Sequence, residues 1–339
     1  MFPYIGSGPY CFSDSLSMAL GPDSPGSAVL EVLTGSPFGF QLIGGTLPFF
    51  DPFGWDPELG LTAALDLLGF DCRRSDGDTA ADAEARLRAA VAEGPVLAGP
   101  LEMGLLWQEP GSGTAVGADH YVLVVDVDTD VVVFHDPHGH PWATLPMSDF
   151  LAAWRAEEIN YVERPFVLRS RFIRTRDVTA AQAVRASLPR AVRLLEACES
   201  GAAGTSPASL GGGAGVERLA DLVAQGLDEG IRGVMARFSV RAGARRLSDA
   251  AVCLAGLGYA GPAEVLTRQA RILGALQRPL ITEDDAALEA GLRRLAPTYT
   301  ELREALAKEP AAERDLRPAR TPARAEGGTG AEARNLPPS

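Results

Sequence analysis

The first half of the chain alternates between helical and β-strand patterns. Apolar residues recur at helical spacing over residues 10–20, 59–68 and 80–91. The clearest strand signals are the β-rich runs 121–127 and 131–134, which a three-residue turn joins at hairpin spacing. Further patterns predict strands at 96–98, 161–162 and 166–168 and a short helix at 147–154. This half is therefore expected to combine a β-sheet with several helices.

The second half of the chain shows helical periodicity almost throughout. The glycine-rich stretch 200–215 predicts a flexible loop or linker. Residues 309–339 carry almost no large apolar side chains, which predicts a disordered tail. The predicted helices cover residues 179–199, 215–238, 244–256, 262–277 and 283–307.

These patterns predict an α+β protein of two domains: residues 1–170, an all-helical domain 178–308, and the tail 309–339. The charge divides near the same place. Residues 1–160 hold 5 arginines, no lysine and 23 acidic residues, a balance of −18, whereas the rest of the chain has +5 within a total of −13. Nucleic acid is not an expected partner, because a phosphate backbone needs a basic footprint.

The cysteine count and the hydropathy pattern predict a cytoplasmic protein. The four cysteines form neither a disulfide framework nor a C-x-x-C metal motif, which is typical of a reducing compartment. The N-terminus lacks the basic region and the long apolar run of a signal peptide. No apolar stretch reaches the roughly 18–20 residues that span a bilayer, so no membrane partner is expected.

Three residues form a candidate nucleophilic site. Cys11 stands at the predicted start of a helix, where the orphan N–H groups and the helix dipole favour a thiolate. His120 directly precedes one predicted strand, and Asp136 ends the next, so a hairpin would bring them together as base and orienting carboxylate. Taken singly, Cys11 could be a small buried hydrophobe, His120 a core histidine and Asp136 a turn residue before Pro137.

Two other patterns are weaker. His135, His138 and His140 lie close in sequence around Asp136, but their spacing matches no standard zinc signature, so no metal is expected. The segment 256–261 fits G-x-G-x-x-G, yet its helical surroundings lack the βαβ context of a dinucleotide site. The sequence therefore predicts no cofactor.

Five segments occur in a recognisable order: YCFSDSL at 10–16 with Gly21, EVLTGSPFGF at 31–40, Gly94–Val96, HYVLVV at 120–125 and His135–Pro137. In their order and spacing they resemble the N-terminal domain of the butirosin biosynthesis protein H family. The resemblance covers about residues 5–160, and the helical remainder looks like the domain that often follows it. It implies a papain-like fold, distantly similar to peptidases that process bacteriocin leaders.

The resemblance also implies roles for individual residues. Cys11 would be the acyl-accepting nucleophile, His120 its base and Asp136 the residue that orients the base. Papain-like peptidases usually carry a Gln six positions before the cysteine to donate to the oxyanion, and this chain has Ile5 there. The backbone N–H of Cys11 and another donor would have to replace it. The candidates for that donor, or for substrate contact, are Ser7, Tyr10 and Ser13.

The implied function is acyl transfer in antibiotic biosynthesis. An acyl group would pass from the thioester of an acyl carrier protein to Cys11 and then to a cationic small-molecule amine such as an aminoglycoside. Two alternatives stay open at this point: a cysteine hydrolase or peptidase of the same fold, and a catalytically silent binding protein. The sequence is also compatible with a homo-oligomer.

Overall fold

The computed structural model describes residues 8–77, 79–109, 112–200 and 208–309. This part of the chain is mixed α and β, with a sheet-rich first half followed by a helical second half, as the sequence predicts. The tail predicted to be disordered lies, from residue 310 onwards, outside the described residues. Among the residues that are described, no helix combines the length and the apolar character that a membrane crossing requires.

The first half contains five helices and eight strands within the described ranges. In chain order they are α1 (Cys11–Leu20), α2 (Ser27–Thr34), β1 (Gln41–Ile43), β2 (Leu47–Phe49), α3 (Pro57–Leu68), β3 (Phe70–Ser75), α4 (Ala80–Val91), β4 (Val96–Glu102), β5 (Asp119–Asp128), β6 (Val131–Asp136), β7 (His140–Pro146), α5 (Met147–Trp154) and β8 (Leu168–Arg174).

Six of these strands form one antiparallel sheet in the order β3-β8-β4-β5-β6-β7. The predicted hairpin is confirmed as β5 and β6, with Leu123 opposite His135 and a turn at Thr129. The predicted strand at 161–162 is wrong, because these residues lie in a turn; β8 starts only at Leu168. β7 was not predicted. Its two prolines obscure the strand pattern, and they are tolerated because β7 is an edge strand.

The second half packs its helices against the first half and extends into its β-structure. The strand β9 pairs with β1, so that a small sheet of order β2-β1-β9 joins distant parts of the chain. The elements are α6 (Ala180–Ser200), β9 (Leu210–Gly211), α7 (Gly212–Ala224), α8 (Glu229–Val234), a π-helical turn (Met235–Ser239), α9 (Val240–Gly256), α10 (Ala260–Ala275), α11 (Gln277–Ile281), α12 (Asp285–Leu295) and α13 (Thr298–Lys308).

The two faces of the large sheet contribute to different apolar clusters. Alternate residues of β5 separate in the way that strand geometry dictates: Tyr121 joins the cluster around α1, whereas Val122 and Val124 join the one beneath α4 and α5. The cluster around α1 also contains side chains of the second half, among them Leu247 and Leu254 of α9. A single apolar core therefore includes residues of both predicted domains, while the boundaries 170 and 178 stay predictions.

A buried ion cluster links the two halves beside this core. Arg246 of α9 donates from Nε to Glu31 of α2 at 2.7 Å and from a terminal nitrogen to Asp51 at 3.0 Å. All three side chains are buried. Ser13 of α1 and Ser36 donate to the same Glu31 carboxylate, so that every charge in the cluster has a partner.

Candidate active site

Cys11 is the first residue of α1, a helix whose ten residues are all buried. Among the described residues no side chain caps this helix end, so its first N–H groups have no side-chain acceptor there. The backbone N–H of Tyr121 and the His120 side chain lie close enough to the sulfur to lower the pKa of the thiol. The structure thus brings together the helix start and the strand start on which the predicted site depends.

His120 lies at the start of β5 opposite Leu101, next to an irregularity in the pairing of β4 with β5. Its ring is fully buried, and Nε2 lies 2.8 Å from Oδ1 of Asp136. The other ring nitrogen, Nδ1, has no hydrogen bond of regular geometry within the described residues. The Cys11 thiol is nevertheless close enough to change the pKa of this imidazole. Asp136 therefore holds one ring nitrogen and leaves the other for the thiol.

Asp136 is a firmly held carboxylate. Besides His120, it accepts a hydrogen bond from the backbone N–H of His138 at 2.8 Å and one from Nε2 of Gln108 at 2.7 Å. Burial alone would raise its pKa, but His120 and these donors hold the pKa well below its usual range. Asp136 is therefore ionised at neutral pH and is suited to orient an imidazole and stabilise its protonated form.

The pKa values of the two reacting groups are set by burial and by their partners. Burial disfavours charged His120, but Asp136 and then Cys11 raise its pKa well above the ordinary value. Burial also raises the pKa of the Cys11 thiol, whereas His120 and the Tyr121 N–H act to lower it. The thiol and the imidazole are coupled, so their protons are gained and lost as a pair.

A second acid–histidine pair lies against the first. Nδ1 of His138 is 2.9 Å from Oε1 of Glu109, and the rings of His138 and His120 are 4.4 Å apart between centroids. The sequence did not predict roles for Gln108 and Glu109. Neither residue belongs to a periodic pattern or a motif, so only the folded structure reveals them. Glu109, His120, Asp136 and His138 are also the described side chains that could jointly hold a metal ion.

The candidate oxyanion donors are placed differently from the triad. The Tyr10 hydroxyl donates to Asp249 of α9 at 2.9 Å, and the Ser13 hydroxyl donates to Glu31 in the buried ion cluster. Both protons are thus committed to carboxylates, which leaves none for an oxyanion in this conformation. Ser7, like Ile5, lies outside the described residues. The backbone N–H of Cys11, at the uncapped end of α1, is the donor best placed for this role.

Comparison with known proteins gives one family match, in the helical half, and one curated relative. Residues 206–307 match the family described as "YobF C-terminal domain". The chain is also 35% identical over 167 residues to "Uncharacterized protein YobF" of Bacillus subtilis (strain 168). That match covers 48% of this chain and 53% of the relative, so the chain spans about half the length of the curated relative it matches.

The family match lies apart from the candidate site in sequence. It begins after α6 and contains β9 and the helices α7 to α12 with most of α13. Cys11, His120 and Asp136 all lie before it, and α9 of the matching part contacts Tyr10, the residue before Cys11. The chemistry of the site therefore has to be argued from its own geometry.

Proposed function

We propose that the protein is a papain-like cysteine acyltransferase of the butirosin biosynthesis protein H type. In this proposal an acyl group passes from a carrier-protein thioester through Cys11 to an amine. The observation that carries the proposal is the convergence of Cys11, His120 and Asp136 in nucleophile–base–orienter order. The hydrogen bond from His120 Nε2 to Asp136 directs the second ring nitrogen to the thiol, as nucleophilic catalysis requires.

The reaction balances without a cofactor. The Cys11 sulfur, having given its proton to His120, attacks the thioester carbonyl carbon and forms a carbon–sulfur bond. The bond to the carrier sulfur then breaks, and the carrier thiol leaves with the proton from His120. The acceptor amine next attacks the acyl-Cys11 carbonyl and gives a proton to His120. An amide forms, and Cys11 is released as the thiol.

The uneven distribution of charge supports the proposed partners. The first 160 residues, with their balance of −18, would attract a polycationic acceptor, and the net-positive remainder suits an acidic carrier protein. These attractions act over about one Debye length, roughly 8–10 Å at physiological salt. They would raise the rate of encounter without determining the chemistry.

Burial of the thiol favours a second candidate, the catalytically silent binding protein. Cys11 is only 9% exposed, whereas Cys72 and Cys253 are partly exposed free thiols. Exposure alone therefore predicts that Cys11 reacts more slowly with iodoacetamide than Cys72 or Cys253 does. In the acyltransferase Cys11 should react at least tenfold faster than either, because His120 takes up its proton. Labelling of Cys11 slower than that of Cys72 would favour the silent protein.

A thioester trap tests the transfer itself. The full chain is incubated with an acyl N-acetylcysteamine thioester and analysed by mass spectrometry. We expect an adduct on one peptide, containing Cys11, that is absent in Cys11→Ser and unchanged in Cys72→Ser. Loss of the adduct to added spermine, faster than to water, identifies a transferase. Release to water at an equal rate indicates the hydrolase or peptidase, and no adduct refutes both enzymes.

A further inference from the structure

Four metal-type donors converge beside the proposed nucleophile. One atom each of Glu109, His120, Asp136 and His138 can be chosen so that all four lie within 4.8 Å of one another. The set comprises two imidazole nitrogens and two carboxylate oxygens. His120 and Asp136 are completely buried, and the other two are partly buried. These four residues are called the His–carboxylate cluster below.

Three segments of the chain build the cluster, which explains the lack of a zinc signature in the sequence. Glu109 follows a short 3₁₀ turn, and His120 is the second residue of β5. Asp136 is the last residue of β6, and His138 follows it two positions later. The main-chain N–H of Met103 donates to Ala118 O at 2.8 Å, which joins the chain before Glu109 to the approach to β5. The spacing of the histidines near residue 138 matches no zinc motif, because only His138 among them belongs to the cluster. The other ligands are two carboxylates and His120, which lies in a different strand.

We propose that the His–carboxylate cluster is a site for a divalent transition metal, with zinc as the best fit. Imidazole and carboxylate are both zinc ligands, and two of each complete a tetrahedral set. Hard cations such as Mg²⁺ or Ca²⁺ prefer an all-oxygen shell, which the two imidazoles do not offer. Bonds to the metal would replace the hydrogen bond between His120 and Asp136 at 2.8 Å and the one between His138 and Glu109 at 2.9 Å. The protons in these two hydrogen bonds would be released.

The four side chains need to move only slightly to bind a zinc ion. Ligand atoms about 2.0–2.2 Å from a tetrahedral zinc ion lie roughly 3.3–3.6 Å from one another. The cluster, with separations of no more than 4.8 Å, needs adjustments that side-chain rotation can supply. Gln108 already donates to Oδ2 of Asp136 at 2.7 Å, while Oδ1 faces His120. Such a hydrogen bond from a neighbouring residue orients a metal ligand.

Metal binding would inhibit the chemistry at Cys11, a consequence that rests on the proposed function. With Nε2 bound to a cation, His120 no longer accepts the thiol proton at neutral pH, and Asp136 no longer orients it. The binding itself does not depend on what Cys11 does. The two parts can therefore be tested separately.

Cobalt provides a direct readout of binding. The full chain is freed of metal with a chelator and titrated with Co²⁺, and the visible ligand-field absorption is recorded. We expect saturation at one equivalent and loss of the band when Zn²⁺ is added. The band should persist in Cys11→Ser, because the sulfur is not among the four donors. Absence of the band, or its loss in Cys11→Ser, would overturn the proposed ligand set.

Two variants locate the ligands. Glu109→Gln and His138→Asn should each weaken Co²⁺ affinity at least tenfold while circular dichroism and thermal unfolding stay close to the wild type. His140→Asn is the matched control, because His140 is a near neighbour outside the cluster. Affinities that do not differ among the three variants would refute the site.

Inhibition is measured by adding one equivalent of Zn²⁺ during thioester acylation of Cys11. We expect at least tenfold slower acylation of the wild type and much less effect on Glu109→Gln. Equal inhibition of both proteins would overturn the regulatory part. If wild-type Cys11 never forms an adduct but Co²⁺ binds as expected, the acyltransferase proposal fails and the metal site stands.

Discussion

Gln108 contributes to the candidate site through a single hydrogen bond of its side-chain amide. Its Nε2 donates to Asp136 at 2.7 Å, and Asp136 in turn holds His120. A hydrogen bond to a charged acceptor contributes about 1.5–3 kcal/mol, so Gln108→Leu should slow acylation of Cys11 about tenfold or more. Acylation is followed by mass spectrometry of the Cys11 peptide.

Two controls distinguish the loss of a positioning contact in Gln108→Leu from general damage to the fold. Gln225→Leu changes an exposed glutamine at the end of α7 and should leave the acylation rate unchanged. Cys198 is 2% exposed, so its reaction with iodoacetamide reports unfolding. An unchanged acylation rate in Gln108→Leu, or faster labelling of Cys198, would contradict the positioning role.

Asp14 should make the stability of the protein depend on pH. The residue is 2% exposed, and Oδ2 has no hydrogen-bond partner within the described ranges. Burial raises its pKa from 3.8 to about 6, although Ser27 and Arg245 oppose the shift. The folded state therefore binds this proton more tightly than the unfolded state. Its stabilising effect is present below about pH 4 and is lost as the pH rises through about 6.

The variant Asp14→Asn removes this titration. At pH 7.5 it should raise the free energy of unfolding by up to about 3 kcal/mol, since each pKa unit corresponds to about 1.4 kcal/mol. Near pH 4 the gain should nearly vanish. Urea unfolding at both pH values measures the difference. A gain that does not change with pH would show that Asp14 is ionised in the folded protein across this range.

The sequence predicts the triad because each member occupies the end of a recognisable element. Cys11 precedes a helical pattern, and His120 and Asp136 bracket a hairpin whose turn is easily identified. Gln108 and Glu109 could not be predicted in this way. They lie in an irregular segment whose position depends on contacts with distant residues, such as the hydrogen bond to Asp136.

At the scale of elements, Gly243 lets α9 pack closely against its neighbours. A Cβ there would lie 2.5 Å from Cβ of Phe50 and 2.8 Å from a methyl group of Leu273. Gly243→Ala should therefore destabilise the protein by about 1–3 kcal/mol, although alanine is the better helix former. Chemical denaturation provides the measurement.

Gly256 is the control within the same helix. A Cβ at this position meets no atom within 4 Å, so Gly256→Ala should be neutral or stabilising by up to about 1 kcal/mol. If Gly243→Ala were as stable as Gly256→Ala, then α9 would not pack closely against α10 and Phe50 at this position.

The buried ion cluster connects α2 to α9 through opposite charges. Arg246→Met would leave the Glu31 and Asp51 carboxylates buried without their cation, and loss of one partner of a buried pair costs about 3–5 kcal/mol. Arg241→Met, at an exposed position of α9, should cost less than about 1 kcal/mol. Urea midpoints compare the two. A small effect at Arg246 would mean that water enters the cluster and solvates the carboxylates.

Elements were predicted well where one periodicity dominates. β5 and β6 are dense in β-branched residues, and the long helices of the second half repeat apolar residues at helical spacing. The three-residue strands β1 and β2 are too short to carry a period, and the prolines Pro141 and Pro146 disguise β7. These strands form because neighbouring strands offer hydrogen bonds, which local sequence does not encode.

At the scale of the molecule, the predicted division into two domains conceals a shared core. All ten residues of α1 are buried, and apolar side chains of α9 belong to the same cluster. We therefore expect residues 1–177 expressed alone to remain unfolded, and the full chain to unfold in one cooperative transition. Circular dichroism and urea titration test both. A fragment that unfolds cooperatively would show that the first half can close its own core.

The order of synthesis adds a consequence to the contact between Glu31 and Arg246. These residues are 215 positions apart, and the ribosome extends a chain by about 5–20 residues each second. Roughly 10 to 40 seconds therefore pass between the synthesis of Glu31 in α2 and the synthesis of Arg246 in α9. During that interval α1 is exposed, and Cys11 is an ordinary cysteine without its surroundings. In the proposed enzyme, the nascent chain would acquire its reactive thiol late, when most of the helical half has been made.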